Sequence, residues 1–518
     1  MNLHMKLAVS VASLAGAVSL LPALASAAPT PLASPAIPGV SAVPGLAAAP
    51  AAVPAANMGI LTTKPDVAVA GTKFTVSGTG LPAGKDVSLT WSTANVTWIV
   101  DARPDTVDYL GRQTTKFAVV LAHVTTDASG SFKTTLEAPQ DWGGIHDLYA
   151  VVNGVQVAKG GFLVARSASI SPKSGPIGTM ITIKYTGLGS SLYEGGAALL
   201  YDSKFVGAMT ANWTRGVATA HIRASGPPGR HFVALLNAVN FGYLNVQQSP
   251  LPWTTEFQLG FKVTKDAGRP APRVDYPITT AATLDAKTTM QLASISETAV
   301  AAATLSSSAG VVNSKVNVTA SGLTANAPVD MEWSTVVGNR VNCTSTCWAF
   351  VSVPLGNTTS TVTGTLSAPV TIPDGLGGWH VLQLLQNGQL KVQVPYYVKR
   401  SLVGPSSLVV KQGQMFTVHL KGLGWTELDN TIAVDYDNSY IGYGCGFNSQ
   451  GDVVLNIRAT GAPGTHIIDG YPLLYTQSPS YANTPYGMVP FLTYANDEPG
   501  LALGYQLPAI RLAITVVK

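Results

Sequence analysis

The chain is 518 residues long and carries 31 basic against 27 acidic residues, a net charge of +4, with only 11 % of positions charged. Neither sign is clustered, so no basic stripe is available to neutralise phosphates, and nucleic acid is excluded as a partner. Three cysteines are few for a chain of this size, and no disulfide framework can hold it up.

At the N-terminus, Lys6, the apolar run Leu7 to Leu24 and the small-residue site Ala25-Ser26-Ala27 have the three regions of a secretory signal peptide, residues 1–27. The expected location is therefore secreted, extracellular or periplasmic. No later run holds the ~18 uninterrupted apolar residues of a membrane span. Residues 28–57 are almost entirely Ala, Pro, Val, Gly and Ser. Proline fixes φ and removes a donor, so this stretch is expected to be an extended, disordered spacer. The remaining 461 residues are too many for one core. Runs such as Lys73-Phe74-Thr75-Val76-Ser77 alternate polar with apolar, and Gly or Pro turns recur about every ten residues. Period-two alternation puts one face in a core and the other in water, which predicts β-strands in sandwiches. No amphipathic helix is predicted.

A duplication organises these strands. Ile222-Arg223-Ala224-Ser225-Gly226-Pro227-Pro228-Gly229-Arg230-His231 returns 235 residues later as Ile457-Arg458-Ala459-Thr460-Gly461-Ala462-Pro463-Gly464-Thr465-His466. The same offset links Tyr201-Asp202 and Gly207 to Tyr436-Asp437 and Gly442, and Gly187-Leu188-Gly189 to Gly422-Leu423-Gly424. A second motif set, Leu89-Thr90-Trp91-Ser92-Thr93 with Gly143-Gly144-Ile145-His146, returns as Met331-Glu332-Trp333-Ser334-Thr335 with Gly377-Gly378-Trp379-His380. The expected fold is all-β, with four tandem immunoglobulin-like sandwiches in a duplicated A–B pair: A1 at 58–165, B1 at 166–266, a linker at 267–303, A2 at 304–398 and B2 at 399–518. A1 has eight more residues between its Trp and His than A2, which are expected in a loop around Asp101 to Thr114. Each module places one histidine after a turn glycine: His146, His231, His380 and His466. One histidine per separate module leaves no shared metal sphere, so these are read as strand-opening residues facing a core or its rim.

The opening of B1, Ile170-Ser171-Pro172-Lys173-Ser174-Gly175-Pro176-Ile177-Gly178-Thr179 followed by Ile181-Thr182-Ile183 and Gly187-Leu188-Gly189, resembles bacterial extracellular immunoglobulin-like domains of the IPT/TIG kind. The resemblance covers 165–235, weakens in B2, and in the A modules is confined to strand-and-turn grammar. It implies a sandwich serving as spacer, adhesin or accessory module, and it transfers no catalytic residue.

Motifs for chemistry are sparse. The mature chain has no Gly-x-Ser-x-Gly elbow and no His-Glu-x-x-His zinc pattern, so neither cofactor nor metal is expected. Cys343 and Cys347 can pair only within a tight loop, because four strand residues would separate them by about 13 Å. Cys445 is either a buried thiol or an intermolecular bridge. Asp101, Arg103, Asp105, Asp108, Tyr109 and Arg112 crowd into one stretch of a chain otherwise poor in charge. They are either a solvated hairpin tip or a binding loop, and Asp101, Asp105 and Asp108 are the candidate acids of a hydrolase. B2 holds nine of the 18 tyrosines. Tyr471, Tyr475, Tyr481, Tyr486 and Tyr494 lie among Pro, Ser and Asn, where exposed rings could stack on sugars, or else pack domains together. Asp435, Asp437 and Asn438 resemble calcium ligands, but Asp202, the repeat partner of Asp437, sits in a plain turn, so a turn is expected. The leading expectation is a secreted non-enzymatic adhesion protein binding an envelope or extracellular polymer, such as a polysaccharide. The alternatives are a polymer hydrolase and a self-associating layer or filament subunit.

Overall fold

The computed structural model describes residues 58–102, 107–190, 195–237, 255–277, 301–338, 348–426, 429–474, 489–497 and 506–518. The signal peptide, the spacer, Asp105, Cys343 and Cys347 lie outside these residues. Among the described residues there are thirty-five strands and no helix.

A1 contains β1 (Gly59–Lys64), β2 (Val67–Ala68), β3 (Lys73–Gly78), β4 (Asp86–Ala102), β5 (Val107–Thr125), β6 (Phe132–Glu137), β7 (Gly144–Val152) and β8 (Val155–Val164). B1 contains β9 (Ser167–Ser171), β10 (Ser174–Gly175), β11 (Met180–Thr186), β12 (Gly196–Tyr201), β13 (Lys204–Thr210), β14 (Val217–Arg223), β15 (Gly229–Asn237) and β16 (Thr255–Val263). After β17 (Arg273–Asp275), A2 contains β18 (Ala302–Leu305), β19 (Ala309–Val311), β20 (Lys315–Ser321), β21 (Pro328–Gly338), β22 (Trp348–Thr359), β23 (Leu366–Thr371), β24 (Gly378–Gln386) and β25 (Gln389–Lys399). B2 contains β26 (Ser401–Pro405), β27 (Val409–Lys411), β28 (Met415–Lys421), β29 (Thr431–Tyr436), β30 (Ser439–Cys445), β31 (Val453–Arg458), β32 (Gly464–Tyr471), β33 (Leu473–Leu474), β34 (Val489–Pro490) and β35 (Ala509–Val517).

One strand order occurs four times. Three antiparallel strands (β1-β3-β6, β9-β11-β14, β18-β20-β23, β26-β28-β31) form one layer of each sandwich, and in A1 the start of β1 also pairs in parallel with β8, which joins that layer to the other in one continuous sheet. Four more (β5-β4-β7-β8, β13-β12-β15-β16, β22-β21-β24-β25, β30-β29-β32-β35) form the other. In every case a short strand (β2, β10, β19, β27) pairs in parallel with the last strand of the four. This is the order of an immunoglobulin-like sandwich, in which the split first strand serves both layers. The alternation read from the sequence is what the layers bury: in β3, Phe74 and Val76 are buried while Lys73 is exposed.

Hydrophobic clusters fill each sandwich. That of A1 includes Phe74, Trp91 and Phe162, that of A2 Trp333 and Tyr396, and that of B2 Phe416, Ile432 and Ile514. The cluster of B1 is continuous with Ile467, Tyr471, Phe491, Leu492, Tyr494, Ala509 and Ala513 of B2, so the two B modules share apolar packing. The segment expected as a linker begins instead as structure: β17 pairs antiparallel with β35, extending the B2 sheet. Residues 278–300 lie outside the described residues.

The A–B joint is also duplicated. Gly143 N–H donates to Leu188 O at 2.8 Å, and Gly377 N–H to Leu423 O at 2.8 Å. A Cβ at Gly143 would lie 1.7 Å from Gly187 O, and one at Gly377 1.8 Å from Gly422 O. The two glycine motifs that mark the repeat thus meet each other, and only glycine permits the approach.

Candidate functional site

The four repeat histidines are structural. His146 stacks on Trp91 at 4.4 Å and His380 on Trp333 at 5.1 Å, while His231 and His466 stack on Tyr201 and Tyr436. In the A modules both ring nitrogens face backbone carbonyls, of Ser92 and Trp142 for His146 and of Ser334 and Leu376 for His380. In the B modules Nδ1 faces a carboxylate, Asp202 at 2.5 Å and Asp437 at 2.6 Å. Asp202 and Asp437 also accept from the amides of Phe232 and Ile467, with φ near 48° in both turns. The oxygen cluster at Asp437 and Asn438 is therefore a turn. Among the described residues, no three His, Cys, Asp or Glu are placed to hold a metal.

The stretch around Asp101 is not a loop but a ribbon. β4 pairs with β7 only over Ser88–Trp91, yet its pairing with β5 runs on to Ala102 opposite Val107. Eleven residues from Ser92 outward thus continue as a two-stranded arm, about 35 Å at ~3.3 Å per residue. Asp101 and Asp108 are direct cross-strand partners near its tip. The A2 counterpart is shorter, with β21 ending at Gly338 opposite Trp348.

A buried carboxylate anchors the base of the arm. Asp141 accepts from Trp91 Nε1 at 3.0 Å, Thr93 Oγ1 at 2.8 Å and its neighbour Trp142 N at 2.9 Å. Arg215 of B1 reaches the same carboxylate at 3.2 Å, and Trp142 Nε1 donates to Ala94 O. The arm is thereby tied to the A1–B1 joint.

The tyrosine tract divides. Tyr471 and Tyr494 are buried, at 0 % and 3 % exposure, in the packing between the B modules, because the outer face of the B2 sheet is covered by B1. The expectation of exposed binding rings does not hold for these two. Tyr475, Tyr481 and Tyr486 lie outside the described residues. Residues 489–497 cross onto B1 as a strap: Phe491 bridges Ala208 in parallel, and Leu492 N–H donates to Ala208 O at 2.9 Å. The strap ends at Asp497, which accepts from Thr210 Oγ1 and from the amides of Asn212 and Trp213. Burial pushes the Asp497 carboxyl up to about 6 against the pull of those donors.

Beside the strap lies a buried ionic network that sequence reasoning missed. Arg223 of B1 donates to Asp469 of B2, to Ile468 O and to Leu512 O. Arg511 donates to Asp469 at 3.0 Å and to Asp275 of β17 at 3.1 Å. Its guanidinium lies over the Tyr471 ring at 4.8 Å. Asp435, opposite Asp469 in the ladder, is buried with neither carboxyl oxygen partnered among the described residues. Burial, then the Asp469 charge, hold it well above the usual carboxylate range despite Arg511.

Cys445 is a free, exposed thiol, not a buried one. It ends the edge strand β30, beside a groove of about 680 Å3 between β30 and β31 that is lined by Ile441, Gly442, Tyr443, Val454 and Leu455.

No family model matches the chain, and no curated protein matches it. Among solved structures it is similar to a bacterial integrin-binding invasin, at 13 % identity over 84 % of this chain and 79 % of that one, with a TM-score of 0.19. It is also similar to the Escherichia coli adhesin FdeC, at 15 % identity over 66 % and 96 %, TM-score 0.15. A third is the D1–D4 ectodomain fragment of ICAM-5, at 12 % identity over 84 % and 100 %, TM-score 0.16. The immunoglobulin-like fold rests on the strand order above, and these matches leave the family open. Among the described residues no helix is long and apolar enough to cross a membrane.

Proposed function

We propose that the protein is a secreted, non-enzymatic surface adhesion protein whose sandwiches hold binding elements for an envelope or extracellular polymer. The observation that carries this reading is the arm: a ribbon extended well past its sandwich and anchored through Asp141 to a joint no side chain could enter. On its returning strand Gln113, Thr114, Thr115 and Lys116 are exposed, and loops or arms on rigid scaffolds are where sandwich folds bind. The Tyr475, Tyr481 and Tyr486 rings are the second contact, suited to stacking on sugar faces.

Co-sedimentation of residues 28–518 with insoluble polysaccharides and envelope fragments tests it. Binding is expected, and is expected to be lost when Tyr475, Tyr481 and Tyr486 are all changed to Ala. Unchanged pelleting removes the tyrosines from the site. The hydrolase reading is supported only by the Asp101–Asp108 register pairing. It requires soluble product to appear in the supernatant and to vanish when Asp101, Asp105 and Asp108 become Asn.

A further inference from the structure

The two B modules present the same strand edge in opposite states. In B1, Val206, Ala208 and Met209 of β13 are fully buried. The strap lies so close that a Cβ on Gly207 would meet Pro490 O at 2.6 Å and Leu492 Cγ at 2.9 Å. In B2 the repeat equivalents are Ile441, Tyr443 and Gly444 of β30. Ile441 and Tyr443 are 51 % and 49 % exposed, and a Cβ on Gly442 would meet nothing within 4 Å. Across the groove, Val454 is 53 % exposed. β30 is a sheet edge with no strand beyond it among the described residues, and edge strands are templates for strand addition. The filled copy shows what kind of chain this edge takes: extended, uncharged, carrying Val489-Pro490-Phe491-Leu492, with Pro490 making no donor demand and Leu492 N–H supplying the edge bond.

The spacer contains such a segment. Residues 28–57 carry no charge, and within them Val43-Pro44-Gly45-Leu46 repeats the Val-Pro-x-Leu pattern of the strap. The one difference is in the fitting direction. Where Phe491 bridges Ala208, the empty groove offers the larger Tyr443 opposite a position where the spacer has Gly45. We infer that the groove between β30 and β31 of B2 receives the Val43–Leu46 stretch from the spacer of a second copy, parallel to β30, with Leu46 N–H donating to Tyr443 O. The donor precedes the first module and the acceptor is in the last, so each copy has one of each. A head-to-tail contact of this kind propagates into an open chain of subunits. The inference does not depend on polymer binding.

The test is sedimentation velocity of residues 28–518 over a range of concentrations, with alkylation of Cys445, which lines the groove, as a local reporter. Concentration-dependent oligomers are expected. Association is expected to weaken at least tenfold on deletion of residues 28–57 and in the Ile441→Asp, Val454→Asp double variant, whose positions are exposed and leave the core intact. A synthetic peptide of residues 38–50 is expected to dissociate the oligomers and slow Cys445 alkylation, and a scrambled peptide to do neither. Oligomers that survive deletion of 28–57 overturn the inference in favour of direct pairing of edges. A monomer at all concentrations overturns it as well, including one whose Cys445 is protected until the spacer is deleted, which would mean docking within one chain.

Discussion

A histidine at the same position of a repeat can respond to acid in opposite ways, according to what its second partner is. His380 is completely buried between Trp333 and backbone carbonyls, and burial pulls its pKa down to about 4, against the pull of the Ser334, Gly377 and Leu376 carbonyls. A lowered histidine pKa means the folded state refuses a proton that the unfolded chain accepts. Its contribution is therefore complete above the ordinary 6.5 and is lost as pH falls from 6.5 to about 4, a cost of about 3 kcal/mol by linkage. In His466, burial also acts downward, but the hydrogen bond and charge of Asp437 outweigh it and raise the pKa above 6.5. That stability is complete below 6.5 and lost as pH rises through the raised value. Chemical denaturation between pH 4 and 8 is expected to show the difference: His380→Asn flattens the acid side of the stability profile and His466→Asn flattens the alkaline side. Matching profiles for the two variants would contradict the assignment. The repeat position and the structural role of these histidines were legible from the Gly-x-His turns. The divergence was not, because it depends on a Ser334 carbonyl from strand β21 in one module and on an Asp437 carboxylate from the β29–β30 turn in the other.

At the scale of elements, period-two alternation carried nearly all of the strand assignment, and it carried further than the reading that stopped at Asp101. Ala94, Val96, Trp98 and Val100 keep the alternation up to the stretch expected to be a loop, Ala102 carries it in, and β4 runs to Ala102. The acidic residues drew attention to a turn and hid the pattern beneath it. A two-stranded ribbon is marginal alone in water, so its position depends on the groups at its base. Asp141→Ala would leave the buried Trp91 Nε1 and Trp142 N–H without an acceptor and Arg215 without its partner. Each unsatisfied buried donor costs ~1–3 kcal/mol, so a loss of about 3 kcal/mol or more is expected on denaturation. Amide exchange at Thr93 to Val96 should accelerate with it, and Asp141→Asn should recover part of both. Loss of stability without faster exchange in that stretch would place Asp141 in the sandwich alone rather than in control of the arm.

For the whole molecule, the duplication was legible because identical turns at a constant offset leave a trace in a single sequence. The fusion of B1 with B2 was not, since Arg223 and Asp469 meet across 246 residues, and an arginine that will be buried looks in a sequence like any other. One signal was available: B2, at 399–518, is longer than B1, and the strap at 489–497 lies in the lengthened stretch between His466 and the final strand. The joints between A and B modules give the molecular scale its sharpest test, because the same contact is built twice from glycine pairs. If each A–B pair is the cooperative unit, a side chain at the joint should separate the modules without damaging either core. Gly377→Ala puts a Cβ against Gly422 O, and overpacking of this kind costs ~1–3 kcal/mol. Calorimetry is expected to resolve the A2–B2 transition into two, with the tryptophan signal of A2 leaving first and A1–B1 unaffected. Gly143→Ala is expected to do the same to A1–B1, with the arm loosened as well, since Asp141 and Trp142 adjoin that joint. A single unshifted transition in either variant would mean that the modules are coupled mainly through the strap and the Arg223–Asp469–Arg511 network. The cooperative unit would then be the B1–B2 body with two A modules attached.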